Sequence, residues 1–317
     1  MVKVTDEDFI DGWKRAKSIP AFAKSVGLDY RNVMARRKNI EARYGVPLDA
    51  PSQPKPNRPK AHVEKIGYRI TEDVVGSVVI FSDGHFWPGE RSTSFDALIK
   101  VVKKIKPSMI IANGDSFDGA RISRHSPGGW ETRPTVSDEL DGVIERHAEI
   151  ENAAPKDCKL IWNCGNHDSR FSSRLAQYAP EYAGVKGTDI TDHFPAWNFA
   201  WSTWLNNKVV VKHRHHNGVH GAYNNVLKGG KTIVTGHTHR LQAIQFGDYN
   251  GLRFGIECGT ISDFEPTSDK FVYGEDNPFN WSQGFSVLTF DKNHMLLEPE
   301  FCRVMPDKKA YFRGQAV

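Results

Sequence analysis

Four short polar motifs, each directly behind an apolar run, constrain this chain more than any other feature of its sequence. Val78-Val79-Ile80-Phe81 is followed by S-D-G-H, which puts Asp83 and His85 just past a predicted strand. Met109-Ile110-Ile111-Ala112 is followed by N-G-D-S-F-D, presenting Asp115 and Asp118. Leu160-Ile161-Trp162 leads into N-C-G-N-H-D with Asn166, His167 and Asp168. Thr232-Ile233-Val234 leads into T-G-H-T-H with His237 and His239. Short apolar runs bounded by turn formers read as buried strands. Functional side chains of an α/β sheet gather beyond the carboxyl ends of its strands, so the four loops are expected to converge. Taken singly, a D-x-H or an H-x-H is more often a turn or a surface pair. Four in order, each closing a strand, point to one site.

The rest of the pattern agrees with an α/β fold. Phe95, Leu98, Ile99, Val102 and Ile105 recur at helical spacing, and a second helix is predicted over 137–152. Later strands are predicted at 208–213, 231–236, 241–246, 252–258 and 284–290, with little helix between them. Alternation giving way to consecutive strands argues two stacked mixed sheets with helices outside.

In this order S-D-x-H, G-D-x-x-D, G-N-H-D and G-H-x-H resemble the calcineurin-like metallophosphoesterases, over roughly residues 74–262. The resemblance implies a four-layer α-β-β-α sandwich with two divalent metal ions at one end. It implies Asp83, His85 and His239 on one ion, Asp115 bridging both, and Asn166, His237 and one further histidine on the second. It makes His167 the catalytic histidine, with Asp118 and Asp168 as supports. The residue types agree physically. Imidazoles, carboxylates and an amide oxygen suit Zn²⁺, Mn²⁺ or Fe, not an all-oxygen calcium cage. A carboxylate has two oxygens and so can bridge two cations about 3.5–4 Å apart, which together acidify a shared water to hydroxide near neutral pH. An imidazolium at His167 can protonate the leaving alkoxide, and Asp168 beside it is expected to orient or cap it.

The further histidine is sought in K-H-R-H-H-N-G-V-H (212–220), straight after Val209-Val210-Val211. His213 follows Val209 and Val211 at period two and stands at the strand end, so it is the expected ligand. His216 and His220 are the alternatives. Between Asp118 and the 137–152 helix, Arg121, Arg124 and His125 are expected to grip phosphates beyond the scissile one, with Trp130 stacking on a base or sugar. A solvated loop with Trp130 packed on the surface is an equally natural reading.

Charge separates the N-terminal part from the rest. Residues 1–65 hold 14 Lys+Arg against 8 Asp+Glu, whereas the remainder holds 28 against 30. The run P-S-Q-P-K-P-N-R-P-K at 51–60 is stiff and cannot join a core, so the chain divides into a helical domain at 1–50, a Pro-rich linker at 51–65 and the phosphoesterase domain at 66–317. In the head Phe9, Ile10 and Trp13 share one face, and Phe22, Ala23 and Val26 another. Gly27 breaks the run and Asp29 caps a helix over 30–44 with Val33, Ile40 and Tyr44 inward. This resembles a helix-turn-helix, except that Arg36 and Arg37 stand where another apolar residue is expected. Arg31, Asn32, Arg36, Arg37 and Lys38 suit phosphates and base edges, and a docking or oligomerisation bundle is the bland alternative. Such a head on such a domain suggests a bacteriophage protein. Nucleic acid is thus the expected partner and a phosphodiesterase or nuclease the expected activity. A monoesterase or small-molecule phosphodiesterase is the alternative. No apolar run has the length of a membrane span and the four cysteines form no C-x-x-C pair, so a cytoplasmic protein with reduced thiols is expected, its oligomeric state open.

Overall fold

A computed structural model of the chain describes residues 4–16, 19–45, 47–48, 62–63, 69–124, 132–182, 185–264 and 280–317. The chain divides into two compact units, Met1–Pro56 and Asn57–Val317. In the smaller unit α1 (Asp6–Arg15) is capped by Thr5, whose Oγ1 accepts from the Asp8 N–H at 3.1 Å. Its Phe9 and Trp13 lie one turn apart and meet Phe22 edge-on, at 4.9 and 5.5 Å between ring centres. α2 (Ile19–Val26) turns at Gly27, in the left-handed region at φ 65°, into α3 (Tyr30–Tyr44), capped by Asp29. Val33, Ile40 and Leu48 complete the core.

Three expectations for the head change. Tyr44, expected inward, is 52% exposed; it stands on the last turn of α3 beside Gly45, its hydroxyl 3.4 Å from Asp6 Oδ2. Arg36 pairs with Asp6 at 3.1 Å and lies over the Phe9 ring, and Arg37 pairs with Glu41 at 3.0 Å over the Trp13 ring. Their stems cover the aromatic core, so they serve where an apolar residue was expected. Asn32 Nδ2 donates to Asp29 Oδ2 at 2.6 Å. Of the five residues expected to meet nucleic acid, Arg31 and Lys38 are exposed, while Arg36, Arg37 and Asn32 have partners inside the head.

The larger unit holds two sheets. The first runs β1 (His62–Val63), β2 (Arg69–Glu72), β7 (Ser202–Leu205), β8 (Val209–Val211), β9 (Thr232–Thr235), β11 (Gly251–Cys258), β10 (Leu241–Asp248). The second runs β15 (Gln315–Ala316), β14 (Ala310–Phe312), β13 (Glu300–Val304), β12 (Gly284–Phe290), β3 (Gly76–Phe81), β4 (Met109–Ala112), β5 (Lys159–Asn163), β6 (Asn198–Ala200). β1 pairs antiparallel with β2, so sheet structure begins inside the segment 51–65 expected to be linker. The Pro-rich run itself lies outside the described residues.

Alternation along the central strands builds the layers. Successive side chains point to opposite faces. Val79, Phe81, Ile110, Leu160 and Trp162 enter one core, and Val78, Ile80, Met109, Ile111 and Ile161 enter the other. The first core is roofed by α4 (Thr93–Ile105), through Phe95, Leu98 and Val102, and by α5 (Val136–Ala153), through Val143 and Ile150. The second is filled from the facing sheet by Leu205, Val209, Val211, Val234 and Ile256. α7 (Gly221–Gly229) covers the far side of that sheet with Ala222 and Val226. This is the four-layer α-β-β-α sandwich that the sequence implied. Its central strands β3, β4 and β5 are parallel, as are β8 and β9, so the loops leaving their carboxyl ends carry the four motifs. α6 (Asp168–Tyr178) starts inside the third motif. Among the described residues no helix is long and apolar enough to cross a membrane.

Candidate metal centre

The four loops are sewn together by their own backbones. Asp83, His85 and Phe86 donate N–H bonds at 2.9 Å to the carbonyls of Gly114, Asp115 and Ser116. The His237 N–H donates to Asp83 Oδ2 at 2.9 Å, and the Gly236 N–H to the His213 carbonyl at 2.8 Å. Beneath them a buried chain joins the sheets: Thr203 Oγ1 donates to Asn163 Oδ1, and Asn163 Nδ2 to Asn113 Oδ1 and the Val211 carbonyl.

Six of the candidate ligands fall into two adjoining groups, each with ligand atoms within 4.8 Å of one another, and His85, Asp118 and His167 make a third beside them. Asp83, His85 and His239 form the first: Asp83 Oδ1 lies 3.1 Å from His239 Nε2 and 3.9 Å from His85 Nε2. Asp115, His213 and His237 form the second, with His213 Nε2 at 3.0 Å from Asp115 Oδ2. His213 donates from Nδ1 to the Asn113 carbonyl at 2.8 Å, which fixes its tautomer and turns Nε2 toward Asp115. His216 and His220 join no such group among the described residues. His216 sits beyond the strand, its N–H bonded to Asn225 Oδ1, and exposed His220 precedes α7.

The donor set fits a pair of cations. Asp83 Oδ1, Asn166 Oδ1 and His213 Nε2 are buried without a hydrogen-bond partner among the described residues. Leaving such atoms unsatisfied costs about 1–3 kcal/mol each, unless a ligand completes them. The local field asks for positive charge as well. Burial opposes a charged His213, but Asp115 and Asp83 outweigh it and push its imidazole up to about 10. Burial would likewise raise Asp83, yet His239 and His213 hold it at about 2, and against the same burial His213 and His167 hold Asp115 well below the usual carboxylate range.

The sequence held no sign of the backbone strain at this site. Asp83, His85, Asp115, His237 and His239 all have left-handed φ, between 42° and 68°. Such conformations cost on the order of 1 kcal/mol or more each and persist only where the surroundings over-determine them. Two glycines admit the close approach. A Cβ on Gly114, at φ 91°, would stand 2.4 Å from His213 Nδ1, and one on Gly165 would stand 2.0 Å from Asp115 Oδ1.

His167 lies beside both groups. Its Nδ1 meets Asp118 Oδ1 at 2.6 Å and its Nε2 faces Asp115 Oδ2 at 3.9 Å. Burial disfavours its charged form, but Asp115 and Asp118 raise its pKa overall. Asp118 also accepts from Trp87 Nε1 at 3.2 Å and lies 3.3 Å from His85 Nδ1. The support expected of Asp168 therefore falls to Asp118. Asp168 is fully buried and accepts from the N–H groups of Asp115, Phe117 and Gly165 and from Trp162 Nε1, all at 2.8–3.0 Å. It clamps the second and third motifs and does not touch the His167 ring.

Sequence reasoning missed two residues. Glu139 on α5 is buried and accepts from the N–H groups of Asp118 and Gly119, both at 2.6 Å, and of Ala120. Arg170 donates from Nη1 to the Asp118 carbonyl at 2.8 Å. A basic residue three positions past His167 on a helix was the available signal for Arg170; a lone acidic residue in α5 gave none for Glu139. Of the residues expected to grip phosphate, Arg121 and Arg124 are exposed on the loop after the second motif, and His125 lies outside the described residues with Trp130.

This fold and this donor set define a metal-dependent phosphoester hydrolase. The chain belongs to the calcineurin-like phosphoesterase family, whose profile matches residues 76–241. It is similar to the Gene 54 protein of Mycobacterium phage L5, 22% identical over 263 residues covering 72% of this chain and 93% of that protein. It is also similar to the Gene 54 protein of Mycobacterium phage D29, 24% identical over 252 residues with the same coverage. Phage relatives accord with the origin suggested by the two-part organisation. A novel archaeal phosphodiesterase aligns over 72% of this chain and 99% of its own, at 14% identity and a TM-score of 0.37.

Proposed function

We propose that this chain is a phosphodiesterase that cleaves nucleic acid. The observation that carries the chemistry is the pair of adjoining ligand groups, with Asp83 Oδ1 of one and His213 Nε2 of the other buried and without a hydrogen-bond partner among the described residues. Asp83, His85 and His239 would hold one ion, Asn166, His213 and His237 the other, and Asp115 would lie between them. Bound there, two divalent ions supply Lewis acidity for the phosphoryl oxygens and an acidified water as nucleophile. His167 handles the leaving group. Asp118 fixes its Nδ1, so the exchangeable proton of the imidazolium sits on Nε2, on the ligand side, where it can pass to the departing oxygen. Asp168 and Glu139 keep the loops in register without meeting substrate.

The nucleic-acid part rests on the basic excess of residues 1–65, on exposed Arg31 and Lys38 of α3, and on exposed Arg121 and Arg124 beside the second motif. Full-length protein loaded with Mn²⁺ is assayed on p-nitrophenyl phosphate, bis-p-nitrophenyl phosphate, and labelled DNA and RNA. Diester and nucleic-acid cleavage that Asp115→Asn abolishes is the expected result. Monoester cleavage alone would sink the nuclease reading. The internal pairing of Arg36 and Arg37 favours a second reading of the head, as a protein-docking module. Steeply salt-dependent DNA binding, weakened in Arg31→Ala/Lys38→Ala, separates the two; binding unchanged in that variant supports docking.

A further inference from the structure

A cavity of about 600 Å³ opens beside the third motif, at the end of β6, one strand outward from β5. It shares the carboxyl-terminal edge of the strands with the metal centre, where ligands of α/β sheets gather. Its volume is that of a small-molecule site. One wall is a face of α6, where Ser169, Ser172 and Ser173 stand at helical spacing. Asp189 and the end of β6, with Phe199 and Trp201, make the others. Both sides are tied to the loop that carries Asn166 and His167. The Cys164 N–H donates to the Ala200 carbonyl at 2.7 Å, and Ser169 Oγ donates to the Asn166 carbonyl at 3.0 Å.

The lining says what kind of group fits. Among the described residues no Lys or Arg lines the cavity, so a second phosphate is a poor occupant. Phe199 is stacked on Trp162 at 5.1 Å and has one face committed, whereas Trp201 is 48% exposed. The Ser172 and Ser173 hydroxyls make no hydrogen bond among the described residues, and each can donate or accept. Asp189 Oδ1 accepts from the Thr191 N–H at 2.9 Å, and an ionised carboxylate is an acceptor only. A flat ring with N–H donors and carbonyl or nitrogen acceptors along its edge answers all of these at once.

We propose that this cavity takes the nucleobase of the nucleotide that carries the scissile phosphate, stacked on Trp201 with its polar edge toward Ser172, Ser173 and Asp189. This rests on the nucleic-acid reading of the substrate and adds to it the place of the base. Every base has a π face, so stacking here favours nucleotides over plain phosphodiesters without choosing among sequences.

The test uses full-length protein loaded with Mn²⁺ and two diesters with the same leaving group, thymidine 5′-(p-nitrophenyl phosphate) and methyl p-nitrophenyl phosphate. Trp201→Ala should lower kcat/KM about tenfold on the thymidine ester, through KM, and leave the methyl ester unchanged. Trp201→Phe keeps a ring and should recover most of the loss. Ser172→Phe, which fills the cavity from the α6 side, should act like the alanine variant and serves where that variant folds poorly. Equal loss on both esters in both variants, or no loss on either ester, overturns the proposal. Titration calorimetry with thymidine 5′-monophosphate and inorganic phosphate reads the cavity without any cleavage. Wild type should bind the nucleotide about tenfold more tightly than phosphate, and Trp201→Ala should erase the difference. Equal affinities in the wild type overturn the proposal. A nucleotide preference in a chain that cleaves neither DNA nor RNA upholds the cavity and sinks the nuclease reading alone.

Discussion

Gly165→Ala tests the centre at its tightest point. The added Cβ would meet Asp115 Oδ1 at 2.0 Å, the Asp115 N at 2.5 Å and Asp115 Cγ at 2.8 Å. Ordinary contact begins at 3.4 Å, so the carboxylate must retreat by about 1.4 Å or the third loop must lift away. Either movement breaks the His167 N–H bond to Asp115 Oδ1 or the Gly165 N–H bond to Asp168, both 2.8 Å long. Gly165 is absent from the positive-φ residues, so the effect is crowding alone. Overpacking of this kind costs roughly 1–3 kcal/mol. A displacement of about 1 Å in a positioning group costs on the order of 10²-fold in rate. Metal-loaded hydrolysis of bis-p-nitrophenyl phosphate should fall by about that factor. Bound metal by mass spectrometry and the urea midpoint should fall with it. Gly218→Ala is the control, since nothing lies within 4 Å of its Cβ. Wild-type rate and metal content in Gly165→Ala would refute the placement of Asp115 between the two groups.

Three further substitutions probe other links. His213→Ala should reduce bound metal from two ions to about one per chain, while His216→Ala and His220→Ala keep both; elemental analysis of purified protein reads this. Glu139→Gln weakens the acceptor of the 118–120 N–H groups and should lower kcat about tenfold with metal content intact. His147, stacked on Trp162 at 4.4 Å, is held down to about 3 by burial. Its unfolded form takes a proton first, so its contribution to stability is complete above about pH 6.5 and is lost as pH falls toward 3. Between pH 7 and 5 the wild type should lose roughly 2 kcal/mol more than His147→Phe in urea unfolding. Equal losses would refute the assignment.

Much of the centre is legible in the sequence because each motif follows a strand whose alternate residues enter two different cores. Val78 to Phe81 cannot slip by one residue without exchanging those cores, so Asp83 and His85 arrive at a fixed place. The place of His213 just past β8, beside Asp115, was readable for the same reason. What the sequence hides is set by tertiary contact. α7, G-A-Y-N-N-V-L-K-G, has weak helix propensity and forms because Ala222 and Val226 pack on β9 and β11. Asp168 reads as a partner for its neighbour His167, yet its four donors come from Trp162 and three backbone groups. Arg36 and Arg37 read as a nucleic-acid surface; their place at a position expected to be apolar was the one sign of the core, and it did not name Phe9 and Trp13 beneath them.

The left-handed backbone at Asp83, His85, Asp115, His237 and His239 also limits what evolution or design can put there. Among side-chain-bearing residues, Asp, Asn and His are the types enriched in that conformation, and β-branched or bulky residues are outliers in it. The alphabet of ligands at these five places is therefore short. Drift in metal preference among relatives should proceed by trading Asp, Asn and His for one another. A thiolate-rich zinc site built by substitution alone would place Cys in left-handed backbone at each of these positions, at a cost of about 1 kcal/mol or more apiece.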